Sequence, residues 1–168
     1  MRVQLHMFYL GGHAGRSNIE VHDVQFVACA TVEDAIPALK AAWFGDADTV
    51  HIDGYQIVNW ADGHAVSLVR EGADNGGLGL YFVNVGGYLP HQLAEAHEFG
   101  LFVAASADEA KEKAKAALLR HHALQHKDNL KEVDDCLLLK DIDGWQVRLT
   151  ADAHGAPLPP AWQGYHPI

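Results

Sequence analysis

Two short histidine–acid pairs, His22-Asp23 and His97-Glu98, stand 75 residues apart in this chain. An imidazole beside a carboxylate is the usual raw material of proton transfer and of divalent-metal binding. Two such pairs brought together hold enough nitrogen and oxygen ligands for one metal ion, or can share a proton. These four residues are the catalytic candidates. A second group, His122 and His126, lies at an i, i+4 spacing that puts both on one helical turn. Acids follow closely at Asp128, Glu132 and Asp134. His22, His97, His122 and His126 are therefore the candidate metal ligands, and a divalent metal is the one cofactor the sequence suggests.

Other chemistry lacks its signature. No G-x-S-x-G, H-E-x-x-H or paired-cysteine zinc spacing is present. The double glycines Gly11-Gly12 and Gly86-Gly87 follow strands, but neither lies in a phosphate-loop or dinucleotide pattern, so no cofactor-binding residues are assigned. Cys29 and Cys136 sit in apolar runs and read as buried thiols. The 168 residues carry a formal net charge of −10, which argues against a nucleic-acid partner and against an anionic membrane surface. With no signal-peptide pattern and no long apolar run, a cytoplasmic location is expected.

The elements that carry the two histidines are written twice. Residues 5–44 align with 80–119 without a gap, and ten of the forty pairs are identical, among them Gly11/Gly86, Glu20/Glu95 and His22/His97. The register then shifts by six, and residues 51–69 align with 132–150, pairing Asp53/Asp134, Asp62/Asp143 and Gly63/Gly144. A repeat of this kind sets the architecture. In each half an apolar strand stops at a double glycine and a second strand starts near the histidine. Thr31-Val-Glu-Asp34 and Ser106-Ala-Asp-Glu109 then have the form of helix capping boxes. Asp62-Gly63 and Asp143-Gly144 between apolar runs read as hairpin turns.

The expected fold is α+β: two tandem ββαββ repeats with antiparallel sheets and one main helix each, related by a pseudo-twofold axis. The boundaries read as 1–70 for the first repeat, 71–79 for a glycine-rich linker and 80–150 for the second repeat. A proline-rich tail, 151–168, should run extended, with Trp162 and Tyr165 anchoring it by apolar burial.

The strings IEVHDVQFV, WFG, YFVNVGGY, HEFGLFVA, EAKEKAKAALL, HKDNLKEVDDC, DGW and WQGYHPI resemble the bacterial family named domain of unknown function 1543. The resemblance covers nearly the whole chain. It implies a bacterial protein built of one or two repeats, and it brings no catalytic residues with it. The leading functional expectation is a non-enzymatic binding or assembly module that forms a homo-oligomer. The alternatives are a metal-assisted hydrolase or isomerase using one His-acid pair from each repeat, and a sensor taking a small ligand in a cleft between the repeats.

Overall fold

A computed structural model describes residues 1–120 and 131–168, of which 131–134 by their backbone alone. The chain order is β1 (Gln4–Gly12), β2 (Val21–Cys29), α1 (Val32–Ala42), β3 (His51–Ile57), β4 (Trp60–Ala61) and β5 (His64–Val69), followed by β6 (Gly79–Gly87), β7 (Ala96–Ala104), α2 (Ala107–Ala117), β8 (Lys131–Leu139), β9 (Asp141–Ile142), β10 (Trp145–Ala151) and β11 (Trp162–Pro167). The fold is α+β with antiparallel strand pairing, and two helices lie among the described residues.

Among the described residues three sheets form, with strand orders β11-β3-β1-β2, β7-β6-β8 and β4-β5-β10-β9. The first two carry one double-glycine strand each at or near the centre. In β1 the odd residues Leu5 and Met7, with Val3 just before the strand, face a core shared by both halves, together with Leu80, Phe82 and Val103. The even residues Phe8 and Leu10 face a second core under α1, with Ala35 and Leu39. This is why β1 reads apolar on both sides: each face meets a layer. The second half repeats the arrangement under α2, where Ala110 and Ala114 pack on Val83 and Val85. The sheets built on β1 and β6 meet through ring contacts between Tyr9 and Phe99 and between Phe26 and Phe82.

The sheet joining the halves is β5 on β10, paired from His64–Ala151 to Val69–Gln146. The Asp-Gly turns that open it adopt positive φ at both residues, 45° and 79° at Asp62 and Gly63, 51° and 77° at Asp143 and Gly144. That geometry matches the right-handed twist of a tight hairpin.

Helix α1 starts on the expected capping box: Asp34 N donates to Thr31 Oγ1, and Thr31 N donates back to Asp34 Oδ2 at 3.1 Å. Pro37 is accommodated inside the helix. At α2 the box differs by one residue. Glu109 N donates to Ser106 Oγ, but the longer Glu109 carboxylate reaches past the cap to the Ala105 amide at 2.8 Å.

The tail pairs with β3 as β11 and so extends the first sheet. Its anchor is backbone pairing and not the apolar burial expected, since Trp162 is 37% exposed and Tyr165 68%.

Candidate functional site

The site begins with the register of three strands. Gly11 on β1 pairs with His22 on β2 and with His51 on β3. Residues directly opposite in an antiparallel sheet present their side chains to one face, so both imidazoles flank a position with no side chain of its own. The vacated space is used. A Cβ on Gly11 would lie 2.6 Å from Asp53 Oδ2 and 2.6 Å from His51 Cε1. Asp53 is itself an extra residue in β3: the pairing skips it between Tyr9–Gly54 and Leu10–Ile52. Such a bulge re-aims a side chain, here toward the histidines.

Four side chains close into a ring of alternating imidazole and carboxylate. His51 Nδ1 lies 2.6 Å from Asp53 Oδ1, and His51 Nε2 meets Glu20 Oε1. His22 Nε2 lies 3.3 Å from Glu20 Oε2 and 3.4 Å from Asp53 Oδ2. Each acid thus gives one oxygen to each histidine. His51 is 4% exposed, and both its nitrogens face carboxylate oxygens. Aromatic rings cover the ring of charges. Tyr9 stacks on His22 at 5.0 Å with planes 2° apart, and Tyr165 lies 4.4 Å from His51. Burial pushes the Tyr9 phenol above its usual pKa, and the negative charges of Asp53 and Glu20 push it further, so it stays neutral.

The second half keeps part of this plan. His97 Nε2 lies 3.5 Å from Glu95 Oε2. Gly86 pairs with His97 and with Glu132, the residue standing where the first half has His51. The β8 pairing also skips one residue, Asp134, at the place matching Asp53. The buried imidazole is therefore a feature of the first half.

His22 and His97 line the same cleft, about 420 Å³ in volume, between the sheets built on β1 and β6. Tyr9 and Asn84, and Val24 and Phe99, line it too, and each of these pairs is also 75 residues apart. The acids next to the histidines in sequence make other bonds. Asp23 accepts from the Val24 amide at 2.8 Å and from Gln25 Nε2 at 2.6 Å. Glu98 accepts from the Leu119 amide at 2.6 Å, fastening the chain after α2. His122 and His126 lie outside the described residues.

Glu20, His51 and Asp53 were not singled out by the sequence reading as site residues. The one local signal they carry is spacing: Glu20 and His22, and His51 and Asp53, are two apart, but Glu20 lies just before β2 and Asp53 stands at the bulge in β3.

Cysteine chemistry does not compete. The Cys29 thiol lies 3.3 Å from His6 Nδ1, but burial pushes it up to about 11 and lowers His6, so the pair stays neutral.

A family model described as Domain of Unknown Function (DUF1543) matches residues 17–68 and 92–149. The matched segments contain Glu20, His22, His51 and Asp53 in one and Glu95 and His97 in the other. The crystal structure of a protein Il1583 from Idiomarina loihiensis is similar, with a TM-score of 0.75, 32% sequence identity, and coverage of 98% of this chain and 97% of that one. No curated protein matches the chain. The chain belongs to the DUF1543 family, as a member with two repeats.

Proposed function

We propose that this DUF1543 member is a small-ligand binding module whose two ββαββ repeats, 1–70 and 80–150, are related by a pseudo-twofold axis and enclose one shared binding cleft. The observation that carries it is the lining of the cleft. Equivalent positions of the two repeats, His22 with His97, Tyr9 with Asn84 and Val24 with Phe99, contribute to one cavity. A volume of about 420 Å³ falls in the range of small-molecule sites, which is roughly 300–1,000 Å³. Further support for the axis is the reciprocal docking of the hairpin turns: Asp62 accepts from the Val103 amide and Asp143 from the Ala28 amide, both at 2.9 Å. Val103 and Ala28 are again 75 residues apart.

The chemistry of the cleft selects the ligand class. Phe82 and Phe99 pack on each other with ring centroids 5.5 Å apart, and they line the cleft beside His22, His97 and Asn84. A flat molecule with an apolar body and hydrogen-bonding edge groups suits that lining. Titration calorimetry with indole, benzoate, benzamidine and adenosine at millimolar concentration tests the reading. At least one of these should bind at 1:1, and Phe99→Ala should weaken it about tenfold. Absence of binding by all four, or full affinity in a folded Phe99→Ala variant, sinks the proposal.

A further inference from the structure

We infer that the first repeat by itself is a divalent transition-metal site, with Glu20, His51 and Asp53 as ligands and His22 completing the set from the cleft side. The inference does not depend on any ligand occupying the cleft.

Geometry supplies the first argument. One ligand atom from each of Glu20, His51 and Asp53 can be chosen so that all lie within 4.8 Å of one another. His22 Nε2 stands 3.3 and 3.4 Å from the outer carboxylate oxygens. Ligands placed tetrahedrally at about 2.0–2.1 Å from a zinc-sized ion are separated by roughly 3.3–3.4 Å. The histidine–acid spacing on the cleft side therefore already has the length of a coordination edge.

The second argument is chemical. His51 is buried with Nδ1 on Asp53 and Nε2 on Glu20. An imidazole with its proton on Nδ1 leaves the Nε2 lone pair for a metal ion. Nδ1–H then donates to Asp53 Oδ1, which fixes the tautomer and the ring plane, as carboxylates do behind many metal-bound imidazoles. Asp53 keeps Oδ2 for the metal. Two imidazoles with two carboxylates suit zinc, cobalt, manganese or iron better than calcium or magnesium, which prefer oxygen alone.

The third argument is that the backbone makes room. Gly11 leaves open the space its side chain would take from Asp53 and His51, and the β3 bulge turns Asp53 inward. The second repeat carries glutamate where His51 stands, so the inference assigns one ion per chain and not two.

Calorimetric titration of tag-free protein with zinc chloride at pH 7.5, paired with the visible spectrum of the cobalt(II) form, tests it. The expected result is one ion per chain, with binding weakened about 10–100-fold by His51→Gln and by Glu20→Gln and unchanged in His97→Gln. Glu20 is an exposed side chain, so Glu20→Gln keeps the test open if His51→Gln does not fold. Three results overturn the inference: no stoichiometric zinc or cobalt binding, full affinity in folded Glu20→Gln protein, or loss of binding in His97→Gln, which would assign the ion to the cleft.

Discussion

The carboxylate of Asp62 holds the backbone amide of Val103 at 2.9 Å, so the hairpin turn of the first half ends on a strand of the second. Lys113 closes the contact with one bond to Asp62 Oδ2 at 2.9 Å and another to the Val103 carbonyl at 2.5 Å. Asp143 does the same for Ala28 in the other direction. The halves are therefore locked by two exchanged turns in addition to the β5–β10 pairing. Asp62→Ala should destabilise the protein by about 1–3 kcal/mol, because it leaves a partly buried amide without its acceptor. Asp62→Asn should cost less, since asparagine keeps an acceptor and tolerates positive φ. Urea denaturation measures both; equal stability of Asp62→Ala and wild type refutes the lock.

Gly11→Ala tests the packing of the site against the packing of the fold. The new methyl group would press on Asp53 and His51 at 2.6 Å, with Glu20 Cδ next at 3.2 Å. The strand can keep its conformation, while the ring of acids and imidazoles must open. Circular dichroism should remain native, the melting temperature should fall by a few degrees, and zinc affinity should drop at least tenfold. Retained affinity would mean that the ring is not the metal site.

His6 should make the protein sensitive to acid. Burial lowers its pKa, and its bond to the Gln4 carbonyl opposes this only in part. Around it are the Cys29 thiol and the rings of Phe8 and Tyr55. Below the unfolded pKa of about 6.5, the unfolded chain takes a proton that the folded one resists. Stability should fall as pH drops through that value and on toward the lower folded pKa. In His6→Leu the loss between pH 7 and pH 5 should be smaller; identical slopes in the two proteins would rule this group out.

Cys29 should resist thiol reagents in the native state. With its pKa pushed up to about 11, almost no thiolate is present at pH 8. Cys136 is less buried and raised less strongly, so it should be labelled first. Above pH 9 the unfolded chain releases a proton that the fold retains, and stability should decline with rising pH. Rapid labelling of two thiols in native protein at pH 8 contradicts this.

Much of the fold was legible because its signals are local. The helix caps, the Asp-Gly turns and the strand stops at Gly11-Gly12 and Gly86-Gly87 lie within a few residues of what they control. The repeat then fixed which elements correspond. His22 and His97 were found through that repeat. Their partners were not, for two physical reasons. His22-Asp23 and His97-Glu98 read as dipeptides at a strand entry, whereas β2 and β7 begin at Val21 and Ala96 and place both histidines inside strands, where adjacent residues point to opposite faces. His51 and Asp53 reach the site through the bulged pairing of β3 with β1, a contact some forty residues long in sequence that no local pattern encodes. The joining of β5 to β10 and the addition of β11 to β3 are of the same long-range kind.

The β5–β10 pairing also sets a timetable for synthesis. At about 5–20 residues per second, the stretch between Val69 and Ala151 takes roughly 4–16 s to emerge from a ribosome. Throughout that interval the nascent first half has β5 paired only with the short β4, and β3 without β11. Unpaired edges of this kind invite pairing with the wrong chain. On a crowded polysome, neighbouring copies would present the same two edges at the same time, and the completed carboxyl-terminal half is what withdraws them.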